Sequence, residues 1–205
     1  YASRNATDKD HDVIAVNSVL EKLSGLSESP DPWCMFLGLI GPHDPYNVPG
    51  KYLDMYDIDD VKLPPSFSDK MHDKPAVYRR IREMRFDQLS ERETREGIRH
   101  YLAYCTYLDE LFGKVVNRLD SLGMTENTLI LFCADHGDYC GDHGLFAKGI
   151  PCFRGAYNVP AIVSWPAGIK KTGRLEDSFV SLADFAPTFM ELAGIKTARQ
   201  MTGKS

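Results

Sequence analysis

Two segments of this sequence hold the side chains best suited to chemistry, and each follows an apolar run. One is Gly41-Pro42-His43-Asp44-Pro45-Tyr46. The other runs Ala134-Asp135-His136-Gly137-Asp138-Tyr139-Cys140-Gly141-Asp142-His143-Gly144-Leu145-Phe146-Ala147-Lys148-Gly149. Asp135 and His136 are adjacent, so in a regular strand they point to opposite faces. Both reach one ion only where the strand breaks into a loop, and Gly137 permits such a bend. An Asp oxygen suits Ca2+, Mg2+ or Zn2+, and a His nitrogen tilts the choice toward transition metals without excluding the others. Two ligands do not close a coordination shell, so more must come from elsewhere. On spacing alone, a polar loop with a helix-capping Asp accounts for the pair equally well. Lys148 lies in a glycine-flanked loop, and His43 follows the other apolar run. A lysine and a histidine beside an Asp-bound cation make a positive pocket fit for a tetrahedral oxyanion, sulfate or phosphate. Taken singly, each has a plainer account, a solvated lysine and a hydrogen-bonded structural histidine. Together they point to metal-assisted chemistry on an oxyanion ester.

The elements that must position these groups are legible from periodicity. Thr7-Asp8-Lys9-Asp10 opens a helix in which Val13, Ile14, Val16, Val19, Leu20 and Leu23 recur at helical spacing up to Gly25. Trp33 to Ile40 is continuously apolar and short, as expected of a strand covered on both faces. A polar, proline-containing stretch follows to about Pro75. Ser90-Glu91-Arg92-Glu93 is a capping box that starts the longest helix. Its apolar stripe is Ile98, Tyr101, Leu102, Cys105, Leu108, Leu111, Phe112, Val115, Leu119 and Leu122, and Gly123 ends it. Leu129–Ala134 and Val159–Trp165 read as further strands, and Asp184 caps a last helix to Leu192, with Pro187 in its first turn. Apolar strands alternating with helices imply an α/β fold with a mainly parallel sheet flanked by helices, whose sites lie beyond the carboxyl ends of the strands.

Composition narrows the class. The 205 residues carry 24 Lys and Arg against 29 Asp and Glu, a formal charge of −5, which argues against a nucleic-acid partner. The densest basic cluster, Tyr78-Arg79-Arg80-Ile81-Arg82, borders acids. No apolar run reaches the length of a membrane helix. None of the five cysteines forms a C-x-x-C pair, so a zinc ribbon or thioredoxin-type site is not expected, and free buried thiols are. Asn5-Ala6-Thr7 is a glycosylation sequon only in a secreted eukaryotic protein. The opening Tyr1-Ala2-Ser3-Arg4-Asn5 has neither an initiator Met nor an apolar signal core, so no localisation is readable. Oligomeric state is not readable either.

Asn127 to Asp138, Gly141-Asp142-His143-Gly144-Leu145 and Lys148-Gly149 together resemble the sulfatase family of the alkaline-phosphatase superfamily. So do Pro42 to Tyr46, Tyr52 and Asp57 to Pro64, the Tyr101–Gly113 helix, Asn158 to Val163 and Asp184 to Thr188, in order along essentially the whole chain. The resemblance implies one catalytic-domain fragment over 1–205, an incomplete alkaline-phosphatase-like fold. It implies a metal-dependent sulfuric ester hydrolase acting on a small-molecule or glycan sulfate ester. Asp135 and His136 would be two ligands of a divalent cation, calcium first, with Mg2+, Mn2+ or Zn2+ as alternatives. His43 would contact the sulfate and protonate the leaving oxygen, and Lys148 would bind a sulfate oxygen. The family's nucleophile is a formylglycine made from Cys or Ser in a Cys/Ser-x-Pro-x-Arg motif. No cysteine or serine here begins one, so the nucleophile and an acidic pair completing the metal site are expected upstream, and the smaller C-terminal subdomain beyond Ser205. The segment Ile150 to Gly155 also departs from the family, many members of which carry acids there. His143 and Asp142 are expected to be structural or rim residues. Asp44 and Tyr46 either line the entrance or serve as a turn former and a packed ring. The alternative readings are a phosphonate or phosphate ester hydrolase of the same superfamily, and a non-catalytic sulfatase-like binding module.

Overall fold

The computed structural model describes residues 2–3, 10–196 and 200–205. The sequon and the Thr7-Asp8-Lys9 helix start lie outside the described residues. In chain order the elements are β1 (Ala2–Ser3), α1 (His11–Leu26), β2 (Tyr46–Asn47), α2 (Gly50–Leu53), α3 (Ala76–Arg85), α4 (Glu91–Ser121), β3 (Ile130–Cys133), α5 (Arg154–Tyr157), β4 (Ala161–Ser164) and α6 (Leu182–Leu192), with short 3-10 turns between them. They fall into two compact units, Tyr1–Gly168 and Ile169–Ser205.

In the first unit α4 is the spine. The Ser90 hydroxyl accepts from the Glu93 backbone N–H, and the Glu93 carboxylate accepts from the Ser90 N–H, so the expected capping box is present. Ala103, Tyr104, Tyr107 and Leu111 pack with Val16 of α1 and with Tyr46, Val48, Tyr52 and Leu53 as the main core. The buried stripe is thus rotated from the expected one: Leu102 and Cys105 are exposed, because the two tyrosines carry more apolar area inward. A second cluster, Val19, Leu23 and Leu119, continues along the α1–α4 seam.

Trp33–Ile40 is extended and strictly alternates. Trp33, Met35, Leu37 and Leu39 face the α1–α4 pair, whereas Phe36 is 92% exposed and Ile40 is exposed. It forms no ladder among the described residues, so the expected strand covered on both faces has one covered face and no paired strand there. A strand exists only by pairing. The pairing that is present is mixed. β1 and β2 are parallel, while β3 and β4 are antiparallel, with Ile130 opposite Ser164 and Cys133 opposite Ala161. That one pair is antiparallel where a mainly parallel sheet is expected: between β3 and β4 lie only a 3-10 turn (Asp142–Gly144) and the single-turn α5, and an antiparallel return needs no long helical crossover.

The polar, proline-containing chain between Asn47 and Pro75 contains α2 and a 3-10 turn, and α3 follows it. Arg82 of α3 is buried and donates to the carbonyls of Phe67 (3.1 Å), Asp69 (2.5 Å) and His143 (3.0 Å). The basic cluster therefore ties loops together from inside. Cys34, Cys133 and Cys152 also differ from the expected buried thiols; they are exposed.

In the second unit Ser181, not Asp184, is the N-cap of α6. Asp184 is the reciprocal acid of the capping box, and its other oxygen accepts from the Lys204 N–H at 2.8 Å. The three-residue shift puts Pro187 in the second turn, where its missing N–H removes one intrahelical bond.

The element that most directly sets the site is Asp12 of α1. It is fully buried and accepts from the N–H groups of Ile40 (2.7 Å) and Gly41 (3.0 Å), fixing the chain just before His43. Gly41 must be glycine there, since a Cβ would lie 2.6 Å from the Tyr104 ring. Asp12→Ala is expected to cost about 1.5–3 kcal/mol, the worth of charge-assisted bonds to buried donors. Urea unfolding of the full-length protein measures this, and a loss below about 0.5 kcal/mol would contradict it.

Candidate active site

His43 and Lys148 are 105 residues apart in sequence, and the ammonium Nζ of Lys148 rests against Nε2 of His43. The imidazole Nδ1 lies 2.6 Å from the Asp44 carbonyl oxygen and 3.3 Å from the Asp44 carboxylate. A carbonyl oxygen only accepts, so Nδ1 carries the proton and Nε2 presents its lone pair to the ammonium. His43 and His136 meet edge to face, their ring centres 6.1 Å apart. Three of the four residues singled out from the sequence thus converge, and Asp135 adjoins the third.

Asp135 projects outward, its side chain 87% exposed. One carboxylate oxygen accepts from the His136 N–H at 2.9 Å, and the other lies 3.8 Å from His136 Nε2. His136 Nδ1 donates to the Gly137 carbonyl at 2.9 Å, which leaves Nε2 as a free lone pair. A carboxylate oxygen and an imidazole lone pair at that separation can share one cation, because each metal–ligand bond is about 2.0–2.6 Å long. The donor set fits a divalent ion but does not complete a site: no group of three ligating side chains occurs among the described residues.

Gly137 does not adopt a left-handed conformation, and its value differs from the bend expected of it. A Cβ there would lie 2.0 Å from the Gly155 carbonyl oxygen, so the close approach of the α5 turn demands glycine. The Gly137 N–H also donates to the Ala156 carbonyl at 2.8 Å. Beside this junction His136, Lys148, Gly149, Ile150, Ala156 and Tyr157 line an open depression of about 440 Å3.

The loop from Asp138 to Gly149 is tightly folded. Asp138 accepts from the N–H groups of Cys140 (2.8 Å) and Ala147 (3.0 Å), and Tyr139 donates its hydroxyl to the Pro151 carbonyl at 2.6 Å. Burial raises the Asp138 carboxyl above the ordinary carboxylate range, against the pull of its three hydrogen bonds. Cys140, His143 and Ala147 all have left-handed backbone, so the loop is held in a shape its residues do not favour. His143 stacks on Phe153 (3.7 Å between ring centres) and bonds Asp69 at 2.8 Å, a structural role like the one expected. Asp142 accepts from Ser66. Asp12 and Asp138 shape this region though the sequence alone does not point to them, and Tyr46, expected either at the entrance or as a packed ring, is a buried packed ring. Asp138 and Tyr46 lie inside the motif segments, but only contacts across the fold distinguish them from turn residues.

A family model described as Sulfatase matches residues 2–195. The chain belongs to the sulfatase family. A choline-sulfatase of Rhizobium meliloti is 35% identical over 172 residues, covering 82% of this chain and 33% of that protein. A sulfatase of Formosa agariphila is 31% identical over 196 residues, 93% and 38% of the two chains. Among solved structures, a phosphonate monoester hydrolase from Silicibacter pomeroyi superposes with a TM-score of 0.84 at 25% identity, over 97% of this chain and 40% of its own. The sulfatase chain therefore has the α/β fold of its superfamily, and it spans about a third of the length of the curated relatives it matches. Sulfatases generally use a divalent metal.

Gly137→Ala is expected to destabilise the protein by about 1–3 kcal/mol through overpacking. It should also displace the Asp135–His136 pair. Denaturation together with divalent-cation titration checks both, and wild-type values in both would refute the close-approach argument.

Proposed function

We propose that this chain is part of a sulfuric ester hydrolase whose catalytic domain includes residues 1–205 and continues outside them. The observation that carries this reading is the contact of Lys148 with His43 beside the Asp135–His136 pair. A cation on the rim and an imidazole with a free nitrogen, joined without a covalent bond, can part to admit an anion. Lys148 then donates to one non-bridging oxygen of the sulfate ester. His43 faces the bridging oxygen; with the ammonium moved onto the ester, Nε2 takes up a proton from water while Nδ1–H stays on the Asp44 carbonyl, and it delivers that proton to the leaving oxygen as the nucleophile's oxygen replaces that oxygen on sulfur. The Asp44 carboxylate, 3.3 Å away, stabilises that charged imidazole. Asp135 and His136 would hold a divalent cation, calcium first by the resemblance to the family. When bound, it supplies positive charge that draws electron density from the ester's non-bridging oxygens. The nucleophile, a formylglycine in this reading, comes from the part of the protein outside these residues.

Substrates in this reading are small-molecule or glycan sulfate esters, in keeping with relatives named for choline and for N-acetylglucosamine-6-O sulfate groups. The likeness to a phosphonate monoester hydrolase favours one second reading, hydrolysis of a phosphonate or phosphate ester by the same groups. The discriminating experiment compares kcat/KM of the full-length protein on 4-nitrophenyl sulfate, 4-nitrophenyl phenylphosphonate and 4-nitrophenyl phosphate. The sulfate ester should be the best of the three; a higher value on the phosphonate would install the second reading, and no turnover on any would leave a binding module. Lys148→Ala should lower kcat on the sulfate ester by about 10²–10³-fold, as for loss of one oxyanion donor. In calorimetry Asp135→Ala should weaken divalent-cation binding by at least about tenfold. Unchanged affinity would remove Asp135 from the metal site.

A further inference from the structure

We propose that Tyr46 and Asp138 form a positioning clamp that sets the His43–Lys148 contact, an inference that rests on the ester-hydrolase reading of that contact. The Tyr46 hydroxyl donates to Asp138 Oδ2 at 2.7 Å across 92 residues of sequence. The other oxygen of Asp138 accepts from the N–H groups of Cys140 and Ala147. Ala147 immediately precedes Lys148, and Tyr46 comes three residues after His43. One carboxylate therefore joins the loop that carries the imidazole to the loop that carries the ammonium.

Tyr46 is suited to be the fixed post of this clamp. It is buried, its ring meets Tyr101 edge to face with centres 5.6 Å apart, and Phe146 lies 6.5 Å away on the other loop. Its carbonyl oxygen accepts from His100 Nδ1 at 3.2 Å, and its Cα is paired with Ala2 in the β1–β2 ladder. Tyr101 and His100 both belong to α4, so the clamp refers the His43 loop to the most extensive helix of the unit. The His43 loop is thus held at both ends, by Asp12 before it and by Tyr46 after it.

The geometry also dictates the residue types. Oδ1 of Asp138 takes two N–H donors, which requires an acceptor with two lone pairs, and Oδ2 takes a hydroxyl. Asparagine can satisfy the same set with its carbonyl oxygen toward the two N–H groups and its NH2 donating to the tyrosine oxygen. Phenylalanine at 46 deletes only the link between the loops. Neither residue touches the reacting atoms; both act through His43 and Lys148. Misplacing a reacting group by a fraction of an ångström to an ångström is enough to lower turnover strongly.

The test is a double-mutant cycle in the full-length protein, read on phenyl sulfate (poor leaving group) and 4-nitrophenyl sulfate (good leaving group). His43→Ala should reduce kcat more for the poor leaving group. Tyr46→Phe should do the same by about tenfold with KM changed less than about twofold, and should have little further effect in the His43→Ala background. An equal loss on both esters, or a full loss added on top of His43→Ala, would overturn the clamp while leaving the site reading intact. If His43→Ala itself does not discriminate between the leaving groups, the site reading fails and takes the clamp with it. Should Tyr46→Phe not fold, position 138 decides: Asp138→Asn must recover most of the turnover that Asp138→Ala loses, and equal losses in the two would overturn the proposal.

Discussion

An ammonium lying against an imidazole nitrogen is an unusual contact to find preformed, and the rest of the site follows from it. It requires Nε2 of His43 to be a lone pair, and the Asp44 carbonyl enforces this by taking the proton on Nδ1. It also requires two loops from distant parts of the chain to meet with little freedom. Closing so long a loop costs chain entropy that no single hydrogen bond offsets. The cost is met collectively by the α1–α4 core, by Asp12 anchoring the approach to His43, and by the folded Asp138–Gly149 loop that presents Lys148.

The same constraint explains why strained and close-packed backbone gathers here. Cys140, His143 and Ala147 adopt left-handed conformations within eight residues, and Gly137 admits the α5 turn at a distance no side chain tolerates. Arg82, enclosed by three carbonyls, and His143, stacked on Phe153, hold the far side of that loop. This frame leaves His43 and Lys148 as the exposed ends at which the two loops meet. Asp135, by contrast, stands out in solvent, its side chain 87% exposed.

Much of this was legible in the sequence, and the rest was not for identifiable reasons. The Ser90 capping box, the α1 and α4 periodicities and the β3 segment are local signals, and the structure has each of them. The contact of His43 with Lys148 was legible because both follow apolar runs in an α/β pattern. The direction of the β3–β4 pairing was not, since register and sense belong to the partner strand. Nor was the missing ladder at Trp33–Ile40, whose alternating burial shows one face packed and Phe36 bare on the other. The α3 helix has no long apolar stripe to signal it: its one buried residue is Arg82, and Tyr78 and Ile81 are only partly buried against Met71, Tyr139 and Leu145. Asp12, Tyr46 and Asp138 carry no chemical signature of their own; their part is defined by partners 28 to 92 residues away.

A crystal structure of the full-length protein with an unreactive sulfate ester analogue bears most directly on the central claim. One non-bridging oxygen should lie within hydrogen-bond distance of Lys148 Nζ and the bridging oxygen within that distance of His43 Nε2, with Asp138 still accepting from Tyr46. An analogue bound with the ammonium and the imidazole still touching each other, away from its sulfate group, would contradict the account.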